Sequence, residues 1–210
     1  MEVSTPNTNG KHIKRIAARF ITYTLIIFAI AVSLPVVIEY GDVTVFSEDG
    51  PIEWLQIMIV LVSASVFWVN SRSKECEYKQ MFWIIALILF TAAIREMDLI
   101  FDRLIPVAGW QLPAAWSVMG AIIIYWKKKD VIVSQVSDFV RTRAFALLWC
   151  GLIVAVPYAQ LVGNGKFLQL LMGDDYIRDY KRVIEELGEL LGYLLLMIGS
   201  IEAVFHQMEE

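Results

Sequence analysis

Long apolar runs separated by short polar stretches set the layout of this chain. The runs fall at residues 20–38, 52–69, 81–101, 108–126, 144–162 and 183–205. A bilayer core about 30 Å thick takes about 20 helical residues, at about 1.5 Å each. The pattern predicts an all-α fold: a polytopic membrane bundle of six transmembrane helices. Residues 1–15 read as a cytoplasmic disordered tail, 16–206 as the membrane domain and 207–210 as a second cytoplasmic tail. Ala29-Ile30-Ala31 has the form of a signal-peptide cleavage site, but the apolar run continues past it, so an uncleaved anchor is expected.

The third run contains the most unusual pattern. Between 81 and 94 the only polar side chain is Thr91. That length covers roughly 21 Å, so a spanning helix must continue through Arg95, Glu96 and Asp98 before it leaves the hydrocarbon. Charges at such depth are costly and point to function. Thr91, Arg95, Asp98 and Asp102 would form one helical stripe, with Glu96 and Arg103 on a neighbouring face. In the last run Glu185, Glu189, Gly192, Leu196, Gly199 and Ala203 share a stripe. Gly188, Gly192 and Gly199 let another helix come close there, which would draw Glu189 into the bundle.

The polar breaks carry local signals. Pro51 and Glu53 suit the first turn of a helix. Residues 130–143 read as a polar, amphipathic connector after Lys127, Lys128 and Lys129. Pro157 lies near the outer end of the fifth run, and Gly163-Asn164-Gly165 ends it. Asp174 or Asp175 is the expected N-cap of the last helix.

Basic residues orient the bundle. With the N-terminus in the cytoplasm, Lys11, Lys14, Arg15, Arg19, Arg72, Lys74, Lys79, Lys127, Lys128, Lys129, Arg141 and Arg143 all lie inside. The last outer loop keeps Lys166, Arg178, Lys181 and Arg182. Trp54, Trp110 and Trp116 then belong to the outer interface and Trp68, Trp83 and Trp126 to the inner. This topology gathers Glu39, Glu53, Arg95, Glu96, Asp98, Asp102, Arg103, Gln111, Gln160, Glu185, Glu186 and Glu189 at one outer level. Glu202 and His206 lie near the inner surface, and His12 is expected in solvent.

Composition agrees with the pattern. The 210 residues are 58% hydrophobic and 19% charged, and mean hydropathy is +0.59. The net charge of −4 changes little, because the two signs are segregated along the chain. Cys76 and Cys150 fall in a cytoplasmic loop and a helix, which suits neither a disulfide nor a metal cluster.

Candidate chemistry narrows by exclusion. No Gly-rich phosphate loop, H-E-x-x-H pair or G-x-S-x-G elbow is present. Two histidines near opposite termini exclude a His-ligated zinc enzyme. The expected ligand or ion pocket comprises Glu53, Arg95, Glu96, Asp98, Asp102, Arg103, Glu185, Glu186 and Glu189. Clustered carboxylates at low dielectric must share protons, pair with Arg95 or Arg103, or bind a cation. A hard divalent cation held by Glu53, Glu96, Asp98 and Glu189 is the candidate cofactor. No residue stands out as a catalytic nucleophile. Three functions fit: a cation- or polar-ligand-binding module for transport or sensing, an enzyme acting on a lipid headgroup, and an accessory subunit held by ion pairs. The expected partners are the bilayer of a cell inner membrane, a cation or lipid headgroup, and a second copy of the chain, with no nucleic acid. Glu185 and Glu186 also suit the N-terminal end of a helix dipole without any ligand.

Overall fold

A computed structural model describes residues 6–41, 43–47 and 50–209. Asp42, Glu48 and Asp49 of the acidic loop lie outside the described residues, as does the side chain of His12. The described chain is all-helical: 88% helix, with no strand among the described residues. Four helical segments are long and apolar enough to cross a membrane: Ile13–Tyr40, Thr44–Asn70, Arg143–Val162 and Arg178–Met208.

Helix α1, Pro6–Gly41, forms a unit by itself. It starts well before the apolar run, because Pro6 at the first helical position suits a helix start. Residues 6–15, expected as disordered tail, therefore belong to the helix. Its hydroxyls turn inward on the helix itself: Thr22 donates to the Ala18 carbonyl and Thr24 to that of Phe20, both at 2.9 Å. Such bonds satisfy polar side chains without water.

The second unit holds the remaining helices. They are α2 Pro51–Asn70, α3 Lys79–Glu96, α4 Asp98–Leu104 and α5 Gln111–Phe139. Next come α6 Arg143–Ile153, a π-helical segment Val154–Tyr158, and α7 Ala159–Val162. The chain ends with α8 Gly165–Met172 and α9 Arg178–Glu209. α9 is the spine: α2 packs on one side of it, and α6, the π segment and α7 on the other. α3 lies on α2, and α5 on α3.

Glycines explain the tight side of that spine. A Cβ on Gly199 would meet Leu148 Cγ at 2.8 Å, and one on Gly188 would meet Ala159 Cβ at 3.0 Å. Gly192 lies against the backbone of Ala155, and Gly151 against Leu196. The glycine stripe of the last run is thus a helix-packing face. Where α2, α3 and α5 meet near the start of α3, Phe67, Tyr78, Phe82 and Phe139 form one aromatic cluster, with Phe67 and Phe82 centroids 4.9 Å apart.

Three boundaries differ from the expectation. The third run is not one helix, because Met97 adopts φ −97°, ψ 25° and separates α3 from α4. That conformation lies in the bridge region and interrupts helical geometry. Thr91, Arg95, Asp98 and Asp102 therefore do not form a continuous stripe. α5 runs through the three lysines to Phe139, with a kink at Lys128, φ −132° and ψ 24°. The expected connector is thus the inner half of α5, and it buries Ile132 and Phe139. Finally, α9 starts at Arg178, while Asp174 and Asp175 lie in a 3-10 turn and cap nothing. The break at 163–165 falls where expected: Asn164 caps α8 by accepting from the amides of Lys166 and Phe167.

Candidate functional site

α6 packs on α9, α3 is tied to α9 through Glu96 and Tyr193, and a cavity of about 740 Å³ opens between α3 and α6. Its walls are almost entirely apolar, from Ile85 and Ile88 on α3 to Leu148, Trp149 and Leu152 on α6. The C-terminal half of α5 contributes Ile132, Val136 and Phe139 at one end. The other end is polar. Arg95 from α3, Gln160 from α7, and Glu189 and Tyr193 from α9 line it together.

Arg95 is placed by the last turn of α3. Its Nη1 donates to Glu96 Oε1 at 2.9 Å. The Arg95 side chain is 53% exposed, whereas that of Glu96 is 8% exposed. Tyr193 covers Glu96 from the α9 side, its hydroxyl donating to the same Oε1 at 2.6 Å. One carboxylate oxygen thus ties α3 to α9. A guanidinium carries five N–H donors in a planar fork. The pair with Glu96 engages one of its nitrogens, and Arg95 also lines the cavity.

Gln160 reaches its position through the π segment. The extra residue in such a turn rotates the chain that follows, and Pro157 within it lacks the N–H a regular helix would need. Gln160 Nε2 donates to Glu185 Oε1 at 2.8 Å and, more weakly, to Glu189 Oε1 at 3.4 Å. Lys181 pairs with Glu185 at 2.6 Å, one helical turn earlier on α9. On the α2 side, fully buried Gln56 donates to Glu186 twice, to Oε2 at 2.9 Å and to the backbone carbonyl at 3.0 Å. Polar side chains from α2, α3 and α7 therefore meet those of the N-terminal half of α9.

The nine expected pocket residues divide into two sets. Arg95, Glu96, Glu185, Glu186 and Glu189 take part in three hydrogen-bonded clusters along α9, around Tyr193, Gln160 and Gln56. Asp98, Asp102 and Arg103 lie beyond the Met97 break on α4. Asp98 turns onto the amide of Leu99 at 2.6 Å, and Asp102 folds against Gly109. Gly109 has φ 50°, and a Cβ there would run into the Asp102 carboxylate. Glu53 sits in the first turn of α2, half-buried, one turn before Gln56. Among the described residues, no three His, Cys, Asp or Glu side chains gather into a group that could hold a metal ion.

Two neutral partners, Gln56 and Tyr193, escaped the charge-based reading, whereas Gln160 was among the polar groups expected at this level. Gln56, Gln160 and Tyr193 supply the donors that hold Glu186, Glu185 and Glu96. A signal for Tyr193 is present: it follows Glu189 by four residues, on the same face of α9. Comparison with family models, with curated proteins and with solved structures yields no match, so the site must be read from its own chemistry.

Proposed function

We propose that this protein is a six-span membrane protein, with both termini cytoplasmic, that binds a small polar ligand or headgroup in an outward-facing pocket. A sensing or transport role fits such a site. Lys and Arg placement supports the orientation, since each short cytoplasmic loop is basic and the first outer loop is acidic. The observation that carries the binding reading is the half-exposed Arg95 guanidinium at the end of the cavity, facing Gln160 and Glu189 from two other helices. A purely structural ion pair needs no cavity at its side. Convergent polar groups at the mouth of a large apolar cavity are the usual form of a ligand site. Arg95 in the wall favours a polar molecule with an anionic part over a bare divalent cation.

Thiol accessibility tests this. With Cys76 and Cys150 changed to serine, Val156→Cys places a single thiol in the cavity wall. An impermeant charged thiol reagent added outside should label it. Inorganic phosphate, butyrate, manganese or a fatty acid, each tried alone, should include at least one that slows labelling saturably. Absence of outside labelling, or labelling that none of these molecules slows, would overturn the proposal.

A further inference from the structure

We infer that the molecule held in this cavity is a single-chain anionic amphiphile, with its carboxylate or phosphate monoester on Arg95 and its alkyl chain along the groove between α3 and α6. The inference rests on the polar-ligand reading and names the class of ligand.

The cavity is strongly asymmetric, which few small polar ligands would require. Its charged and amide groups are confined to one end, and aliphatic and aromatic side chains line the rest. From Met81 at the inner end to Arg95 at the polar end, α3 rises about 21 Å along the groove. The hydrocarbon core measures about 30 Å, so a groove of this length fits within its thickness. Water, inorganic ions and small polar metabolites gain nothing from such a wall, whereas an alkyl chain does. A volume of about 740 Å³ also falls among pockets that hold whole organic ligands, about 300–1,000 Å³.

The head must match the accessible charge. Arg95 is the half-exposed ion at the polar end, whereas Glu189 is 5% exposed. Glu96 is held by Arg95 and Tyr193 and does not line the cavity. Arg95 therefore presents donors to an incoming head, while Glu189, which also lines this end, is nearly buried. A planar guanidinium binds carboxylate or phosphate oxygens through two parallel N–H bonds. Trp149 and Ile88, on opposite walls, are 53% and 56% exposed along the length of the groove, open to a chain entering sideways from the bilayer.

The test uses full-length protein in phosphatidylcholine nanodiscs and a diazirine-bearing long-chain fatty acid. Labelling should saturate, fall on the α3 and α6 walls, and be competed by unlabelled fatty acid. The matched alkylamine should bind about tenfold or more weakly. Arg95→Gln should weaken the fatty acid by a similar factor, and Arg95→Lys should keep the preference for acid over amine. Because Arg95→Gln leaves Glu96 without its ion pair, the double variant Arg95→Gln/Glu96→Gln serves as the folded control and should show the same loss. Unsaturable labelling, equal binding of acid and amine, or unchanged binding in the double variant would overturn the inference. So would a photoreactive residue at Leu152 that crosslinks to α1, or to a second copy, with undiminished yield under excess fatty acid. If phosphate, butyrate or manganese protects Val156→Cys while the fatty acid fails, the amphiphile alone is disproved. If nothing protects it, the polar-ligand reading falls as well.

Discussion

Tyr193 and Arg95 compete for one oxygen of Glu96, and that shared atom joins α3 to α9. Glu96 is nearly buried, so a lost donor there is not replaced freely by solvent. Tyr193→Phe should therefore lower unfolding stability by about 1–2 kcal/mol, the upper range for hydrogen bonds inside membrane proteins. Reversible unfolding in mixed micelles measures this. Tyr125→Phe, on the cavity wall without a hydrogen bond from its hydroxyl, should change stability far less. An equal loss in both would show that the Tyr193 hydroxyl does not hold Glu96. At this scale the sequence was partly legible. Charged residues in apolar runs stand out because their burial is costly, so Arg95, Glu96 and Glu189 were found. Gln56 and Tyr193 were not, because a neutral donor costs little at an interface and leaves no comparable signature. Only the bonds they make reveal their role.

Among the elements, α5 shows how a polar stretch can still be structural. Its lysines read as a stop, yet the helix bends at Lys128 and continues under α3. Gln135 explains the docking. Its Oε1 accepts from the Met81 amide at 3.0 Å, and its Nε2 donates to the Glu77 carbonyl at 2.6 Å and to Gln80 Oε1 at 3.0 Å. The first turn of a helix has amides without helical partners, and Gln135 supplies one. Gln135→Ala should leave the Met81 amide short of an acceptor and loosen that first turn. Hydrogen exchange should quicken at residues 79–83 and stay unchanged across 188–200 of α9. Unchanged exchange at 79–83 would mean that Phe139 packing alone docks the inner half of α5. The glycine face of α9 was legible because close approach admits only small side chains at helical spacing. The Met97 break and the π segment were not. Nothing in Ile94 to Asp98 disfavours a helix locally, and tertiary contacts decide where α3 ends.

For the whole molecule, α3 and α5 decide whether six helices cross the bilayer or only the four long apolar ones. Six spans and four place every other loop on the same side, since adding or removing an adjacent pair of spans leaves the parity of the chain unchanged. Only the connection between α4 and α5 changes sides. Contacts along α9 favour crossing. Just before α3, Cys76 Sγ accepts from Gln207 at 3.4 Å, and at its end Glu96 accepts from Tyr193 at 2.6 Å. Those two α9 positions are fourteen residues apart, about 21 Å of rise, so the two ends of α3 reach α9 at well-separated levels. The charges of α3, Lys79, Arg95 and Glu96, lie at its two ends, and its middle is apolar but for Thr91. Val107, in the α4–α5 connection, is fully exposed and suits a probe. In the chain with both native cysteines replaced, Val107→Cys and Lys166→Cys should react with an impermeant maleimide on intact cells. Lys74→Cys and Ser137→Cys should react only after permeabilisation. If position 107 instead behaves like 74 while 166 still reacts outside, α3 and α5 do not cross. Arg95 would then lie on the wrong side for an outward-facing pocket.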